Sequence, residues 1–112
     1  MRYMMIIHHD EAELAGADQR ALGADYAAFN EALKKVGEPG QGLQPSSAAT
    51  TVRVKNGKTD VLDGPYADTK EQFAGYFMID AETLDDAVAW AQRCPSSRFG
   101  TIEIRPIVDT RG

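Results

Sequence analysis

At 112 residues the chain is long enough for one compact domain and too short for two ordinary ones. Seventeen acidic residues against twelve basic ones give a net charge of −5, and the basic residues are scattered, which excludes a phosphate-tracking surface and argues against nucleic acid as a partner. No stretch approaches the roughly 20 apolar residues that a membrane span needs, and the single cysteine, Cys94, excludes an internal disulfide and suits a reducing compartment.

The apolar opening Met4-Met5-Ile6-Ile7 is too short for a signal peptide, and His8-His9-Asp10-Glu11 stands where a cleavage site would fall, so a cytoplasmic protein is expected. Residues Arg2 to His8 predict a strand in which Met4 and Ile6 face one way and Met5 and Ile7 the other. Apolar side chains on both faces mark a central strand covered on both sides. A first helix is predicted from about Asp18 to Val36. Leu22, Tyr26, Phe29, Leu33 and Val36 recur at steps of four and three along one stripe, Asp18 is the N-cap, and Gly37 is placed to end the helix in the left-handed region. Glu38-Pro39-Gly40-Gln41-Gly42 and Pro45-Ser46-Ser47 then predict irregular chain.

Thr50 to Lys55 and Lys58 to Asp63 flank Asn56-Gly57, the dipeptide that supplies two positive φ angles to a type I′ hairpin. Counting outward from the turn pairs Val54 with Thr59, Arg53 with Asp60 and Val52 with Val61, which leaves one face of the ribbon largely apolar. Asp63-Gly64-Pro65-Tyr66 reads as a tight turn, followed by a short helical turn capped by Asp68. Phe73 to Ile79 is again a strand with two apolar faces. Thr83 and Asp86 open a second helix with the stripe Leu84, Ala87, Val88 and Ala91, which Pro95 ends. Thr101 to Ile107 is the last strand. The order β-α-β-β-β-α-β is the βαββαβ pattern of a ferredoxin-like α+β fold with an extra hairpin strand, in one domain over residues 1–112. Two helices cover one face of such a sheet. The other apolar face predicts a homodimer joined sheet to sheet around a partly enclosed cavity.

The stretch Asp63-Gly64-Pro65-Tyr66-Ala67-Asp68-Thr69-Lys70-Glu71-Gln72 closely resembles the DGPF signature of the YCII-related family, with Tyr66 in place of the usual Phe. Ala49-Thr50-Thr51-Val52-Arg53, Gly75-Tyr76-Phe77-Met78-Ile79, Ala89-Trp90-Ala91 with Cys94-Pro95, and Ile102-Glu103-Ile104-Arg105-Pro106-Ile107 extend the resemblance over nearly the whole chain. The resemblance implies a dimeric α+β barrel. Some members of the family resemble cofactor-free lyases, a dehydrochlorinase among them, with a proposed His–Asp dyad. The His is expected near the first helix and the Asp before the proline that follows the second. Here the first helix holds no His and Cys94 precedes Pro95, so the dyad does not transfer.

Among residues that could carry chemistry, His8 and His9 point to opposite faces of their strand and cannot chelate one metal together, and no metal site or cofactor is expected. Either His8 or His9 could serve as a general base, His8 being the candidate carried forward, because imidazole titrates near neutral pH. Asp63 (acid or base), Tyr66 (hydroxyl donor) and Lys70 (anion contact) share one loop and are candidate ligand contacts, although turn chemistry alone explains much of that motif. Tyr26 and Tyr76 could each offer a hydroxyl to a cavity, although both sit in apolar stripes, and Arg53 opposite Asp60 is a cross-strand pair with a lesser claim on an anion. Cys94 at a helix end is a poor nucleophile, because the helix dipole there disfavours a thiolate. The expected function is binding of a small molecule in a dimer cavity. The alternatives are a cofactor-free lyase or isomerase acting on a small aromatic or oxoacid and, less favoured, a regulatory interaction module.

Overall fold

The structure is a computed structural model and describes residues 1–109. Its order is β1 (Arg2–Asp10), α1 (Glu11–Ala15), α2 (Gln19–Leu33), β2 (Gly37–Glu38), a 3₁₀ turn (Ser46–Ala48), β3 (Thr50–Lys55), β4 (Lys58–Asp63), β5 (Glu71–Asp80), α3 (Leu84–Arg93), a second 3₁₀ turn (Pro95–Arg98) and β6 (Gly100–Pro106). Four strands form an antiparallel sheet in the order β2-β5-β1-β6, while β3 and β4 make a separate two-stranded ribbon. This is the strand order of βαββαβ. The edge strand comes from the Pro- and Gly-rich stretch expected to be irregular, and the whole hairpin is the insertion. An edge strand tolerates this composition because only one side of its backbone must pair. Beyond Glu38 the chain still follows β5: Gln41 accepts from the Tyr76 N–H at 3.2 Å, and the Leu43 N–H donates to Ala74 at 2.7 Å.

Side-chain parity along β1 decides what is inside. Tyr3, Met5, Ile7 and His9 are buried on the helix side, while Met4, Ile6 and His8 are half-exposed on the other. Across the ladder Met5 meets Phe77 and Ile104, and Tyr3 meets Ile79. The helices close this side through the buried Phe29 and Leu33 of α2 and Ala87 and Ala91 of α3. Phe29 is the hinge of the packing, edge-on to Phe77 at 5.3 Å and to Trp90 at 6.0 Å. Burying such a side chain stabilises the fold by about 1.5–3 kcal/mol. The Cα trace spans only 18 Å along its shortest axis, the thickness of one sheet with helices on one face. Among the described residues no layer covers the other face, where Met4, Ile6, Tyr76 and Met78 stand side by side.

Several local expectations change. Asp18 caps α2 as expected, accepting from the Arg20 and Ala21 N–H groups at 3.1 Å. The helix ends at Leu33, however, and Gly37 enters β2 instead of taking a left-handed turn. No helical turn forms after Tyr66. The amide of Gln72 donates to the Ala67 and Thr69 carbonyls, both at 2.9 Å, and holds that loop instead. Thr83 caps α3 by accepting from the Asp86 N–H at 3.1 Å, but Leu84 and Val88 are exposed, because α3 meets the sheet through its two alanines. The hairpin register agrees with the count made from the turn, with φ 52° at Asn56 and 77° at Gly57.

Candidate functional site

A cavity of about 610 Å³ opens between α2, the end of β1, the middle of β5 and the loop over residues 40–46. That volume suits a drug-sized molecule. Its wall is largely apolar, from Ile7 of β1, Leu14 and Ala15 of α1, Phe29 of α2, Leu43 and Pro45 of the loop, and Phe73, Ala74 and Phe77 of β5. The polar groups are few and come from distant parts of the chain: His9, Glu11, Tyr26, Asn30, Ser46 and a set of glutamines.

A β-bulge sets part of this arrangement. The β1–β5 register shifts between Ile7, opposite Gly75, and His8, opposite Phe73, so Ala74 is the extra residue. His8 therefore sits over Phe73 on the uncovered face, with ring centroids 6.1 Å apart, and His9 shares the inner face with Gln72 on the cavity wall. Asp10 then ends the strand and caps α1, its Oδ1 accepting from Ala12 at 3.0 Å and Glu13 at 3.3 Å. Capping starts the helix two residues after His9 and brings Glu11 to the cavity. The Glu11 carboxylate accepts from the Ser46 N–H at 3.0 Å and from the Ser46 hydroxyl, tying the loop to α1.

Behind the wall lies a row of buried polar groups. His9 Nε2 is 2.6 Å from Ser96 Oγ, Ser96 Oγ also bonds the Tyr26 hydroxyl, and that hydroxyl is 3.6 Å from Cys94 Sγ. Ser96 is fully buried in the turn that Pro95 begins. Burial holds the His9 pKa below 6.5, outweighing the opposing pull of the Glu11 and Glu71 carboxylates, so the imidazole is neutral at pH 7. Burial likewise raises the Tyr26 phenol and the Cys94 thiol, keeping both protonated. With every member neutral the row runs in either sense. In one, Tyr26 donates to Ser96 and Ser96 to Nε2; in the other, Nε2–H donates to Ser96 and Ser96 to Tyr26. The second sense leaves the Nδ1 lone pair unused. Among the described residues Nδ1 makes no hydrogen bond, and no partnerless side-chain nitrogen or oxygen is sealed from solvent, so Nδ1 is the ring atom left accessible. A neutral imidazole held from behind with one free nitrogen has the character of a general base.

Of the residues singled out from sequence, Tyr26, His9 and Tyr76 line this cavity, and His8, Asp63, Tyr66, Lys70 and Arg53 do not. His8 pairs with Glu103 at 3.1 Å on the uncovered face. Glu103 is held below the usual carboxylate range by hydrogen bonds from Arg105 and then His8. Lys70 is exposed, its Nζ 3.9 Å from Asp10 Oδ2. Asp63, Tyr66 and Arg53 are exposed on the ribbon and the turn after it. Glu11 and Ser96 were missed as site residues, and of the two histidines weighed as a base His8 was preferred. Parity favours His9, which continues the inward series Met5 and Ile7, whereas nothing local connects Ser96 to it across 87 residues. Among the described residues no group of three or more His, Cys, Asp or Glu side chains is arranged to hold a metal ion, and no helix is long and apolar enough to cross a membrane.

A family model described as the YCII-related domain matches residues 1–111. The chain belongs to the YCII-related family. A relative, an uncharacterised protein of Rhizobium meliloti (strain 1021), is 33% identical over 115 residues, covering 96% of this chain and 92% of that one. Among solved structures, 5-chloro-2-hydroxyhydroquinone dehydrochlorinase from Burkholderia phenoliruptrix AC1100, in complex with 2,5-dihydroxybenzoquinone, superposes with a TM-score of 0.60 over 96% of this chain and 94% of that chain. At 14% identity this likeness concerns the fold. The YCII-related assignment and the mixed α+β architecture agree with the expectation from sequence.

Proposed function

We propose that this YCII-related protein binds a small, mainly apolar molecule in the cavity beneath α2, in the cytoplasm and as a homodimer. The observation that carries the reading is the cavity itself: about 610 Å³, apolar walls, and two polar side chains, His9 and Tyr26, fixed from behind by one buried serine. Open apolar space next to preorganised polar groups is the general form of a ligand site. The backbone tie on Glu11 is what a carboxylate in a binding site needs when it is not itself reacting. The uncovered face with Met4, Ile6, Tyr76 and Met78 supports pairing with a second copy. The buried free thiol of Cys94 suits a reducing compartment.

Ligand-observed NMR against a library of small ring compounds tests the binding reading. Bound compounds should lose their signal with the Ala15→Trp variant, which fills the exposed wall position at Ala15. A library without hits, or hits indifferent to Ala15→Trp, contradicts it.

One observation favours a second reading, proton transfer without a cofactor: the neutral His9 ring, held through Nε2. Nδ1 takes a proton from an acidified C–H, the electron pair enters an adjacent carbonyl as an enolate, and the proton returns at another carbon. A neighbour in fold acts on a chlorinated hydroquinone. Exchange of a bound ligand's C–H protons with deuterated water, abolished by His9→Gln while binding persists, is the expected result. Exchange unaffected by His9→Gln contradicts this second reading.

A further inference from the structure

The charges around the cavity specify what kind of molecule enters it. Of the residues on its wall, Glu11 alone carries a formal charge at neutral pH, and none is lysine or arginine. Among the described residues the basic side chains stand off that wall: Arg98 pairs with Asp25, Arg2 with Glu38, Lys34 with Glu31, and Arg53, Lys55 and Lys58 are on the ribbon. Lys70, the cation expected to contact an anion, is exposed and directed at Asp10. Glu71 adds a second negative charge near His9, felt at the imidazole together with Glu11. The remaining polar side chains of the wall are neutral, among them the Tyr26 hydroxyl and the amides of Asn30, Gln41, Gln44 and Gln72.

An anion entering this space would lose its water without gaining a counter-charge, and it would meet a carboxylate at close range. A neutral hydroxyl or carbonyl compound loses little on entry, because amides and the imidazole replace its water hydrogen bonds. An ammonium group gains the Glu11 carboxylate, whose oxygens keep further acceptor capacity beyond the two bonds from Ser46.

We propose that the cavity takes uncharged or cationic ring compounds bearing a hydroxyl, carbonyl or amine, and discriminates against carboxylates and phosphates of the same size through Glu11 and the absence of any basic residue on its wall. The inference rests on the binding reading and narrows it. It also removes oxoacids from the substrates expected from sequence.

The test is calorimetric titration at pH 7.5 with three probes of one shape: naphthylmethanol, naphthylmethylammonium and naphthoate. The alcohol and the ammonium should bind at least about ten-fold more tightly than the carboxylate, the scale of a single close charge contact near a protein surface. Glu11→Gln should weaken the ammonium selectively and bring naphthoate close to the alcohol. Gln44→Lys, at an exposed wall position where folding is not at stake, should improve naphthoate binding relative to the alcohol. Ser46→Ala, which removes the hydroxyl bond to Glu11 but keeps the backbone N–H bond and the carboxylate's charge, should preserve the order of the three probes. Naphthoate binding as tightly as the alcohol to the unmodified protein overturns the charge inference and leaves the binding reading standing. Failure of all three probes overturns both.

Discussion

Replacing Ser96 by alanine removes one hydroxyl from a site with no exposure, and the consequences follow from what that oxygen holds. It bonds His9 Nε2 at 2.6 Å and the Tyr26 hydroxyl, so Ser96→Ala leaves two polar groups short of a partner. A buried group left unsatisfied costs about 1–3 kcal/mol. Both groups have partial relief: Tyr26 keeps Cys94 Sγ at 3.6 Å, and His9 and Tyr26 both reach the cavity, where water enters. The expected loss is therefore about 1–3 kcal/mol for the pair together, not twice that. In urea the midpoint should fall by roughly 1 M with an unchanged slope, because a slope of about 1–3 kcal/mol per molar is usual for small domains. Combining Ser96→Ala with Tyr26→Phe closes a double-mutant cycle. The two losses should fall short of adding, since the second change removes a hydroxyl already stripped of its main partner. A midpoint shift equivalent to less than about 0.5 kcal/mol, or strict additivity, would show that the row does not act as a unit.

His9 makes stability depend on pH in a stated direction. Its folded pKa lies below 6.5, so below about pH 6.5 the unfolded chain binds the extra proton and the folded state loses stability as pH falls toward the folded pKa. The stability difference between the unmodified protein and His9→Gln, measured in urea, should thus be largest at pH 7.5 and shrink toward pH 5, with a slope of at most about 1.4 kcal/mol per pH unit. A difference that grows on acidification contradicts the buried neutral imidazole. A β-carbon on Gly40 would stand 1.8 Å from the Tyr76 carbonyl oxygen, so Gly40→Ala must push the loop off β5, costing about 1–3 kcal/mol and weakening ligand binding, as seen by urea titration and calorimetry. Light scattering should give twice 12.2 kDa for the protein. Ile6→Glu, on the half-exposed face, should give one chain with an unchanged circular dichroism spectrum.

Much of the fold was legible because it is written in local patterns. The two apolar faces of β1 and β5, the Asn56-Gly57 turn and its register, and the caps at Asp18 and Thr83 are each set by neighbours in the chain. The edge strand was not, because Gly37 and Gly40 are dictated by the nearness of the β5 backbone and locally read as loop. Helix α1 is five residues long, too short to show periodicity, and stands on the Asp10 cap and the Ser46 tie to Glu11. The site was less legible than the fold. Tyr26 and His9 lie on faces whose direction parity and helical spacing give, but the serine that joins them arrives from the far end of the chain through the turn at Pro95. The loop from Asp63 to Gln72, the most specific stretch of sequence, shows a positive-φ Gly64 and a Gln72 amide spent on the Ala67 and Thr69 carbonyls, duties of turn construction.

The proposed ligand site is the space beneath α2, built around His9 and Tyr26. A crystal structure of the protein soaked with naphthylmethanol tests it most directly. Density between α2 and β5, against His9 and beside Tyr26, is the predicted result. Density only on the face with Met4 and Met78, or an empty cavity at saturating probe, would contradict the account.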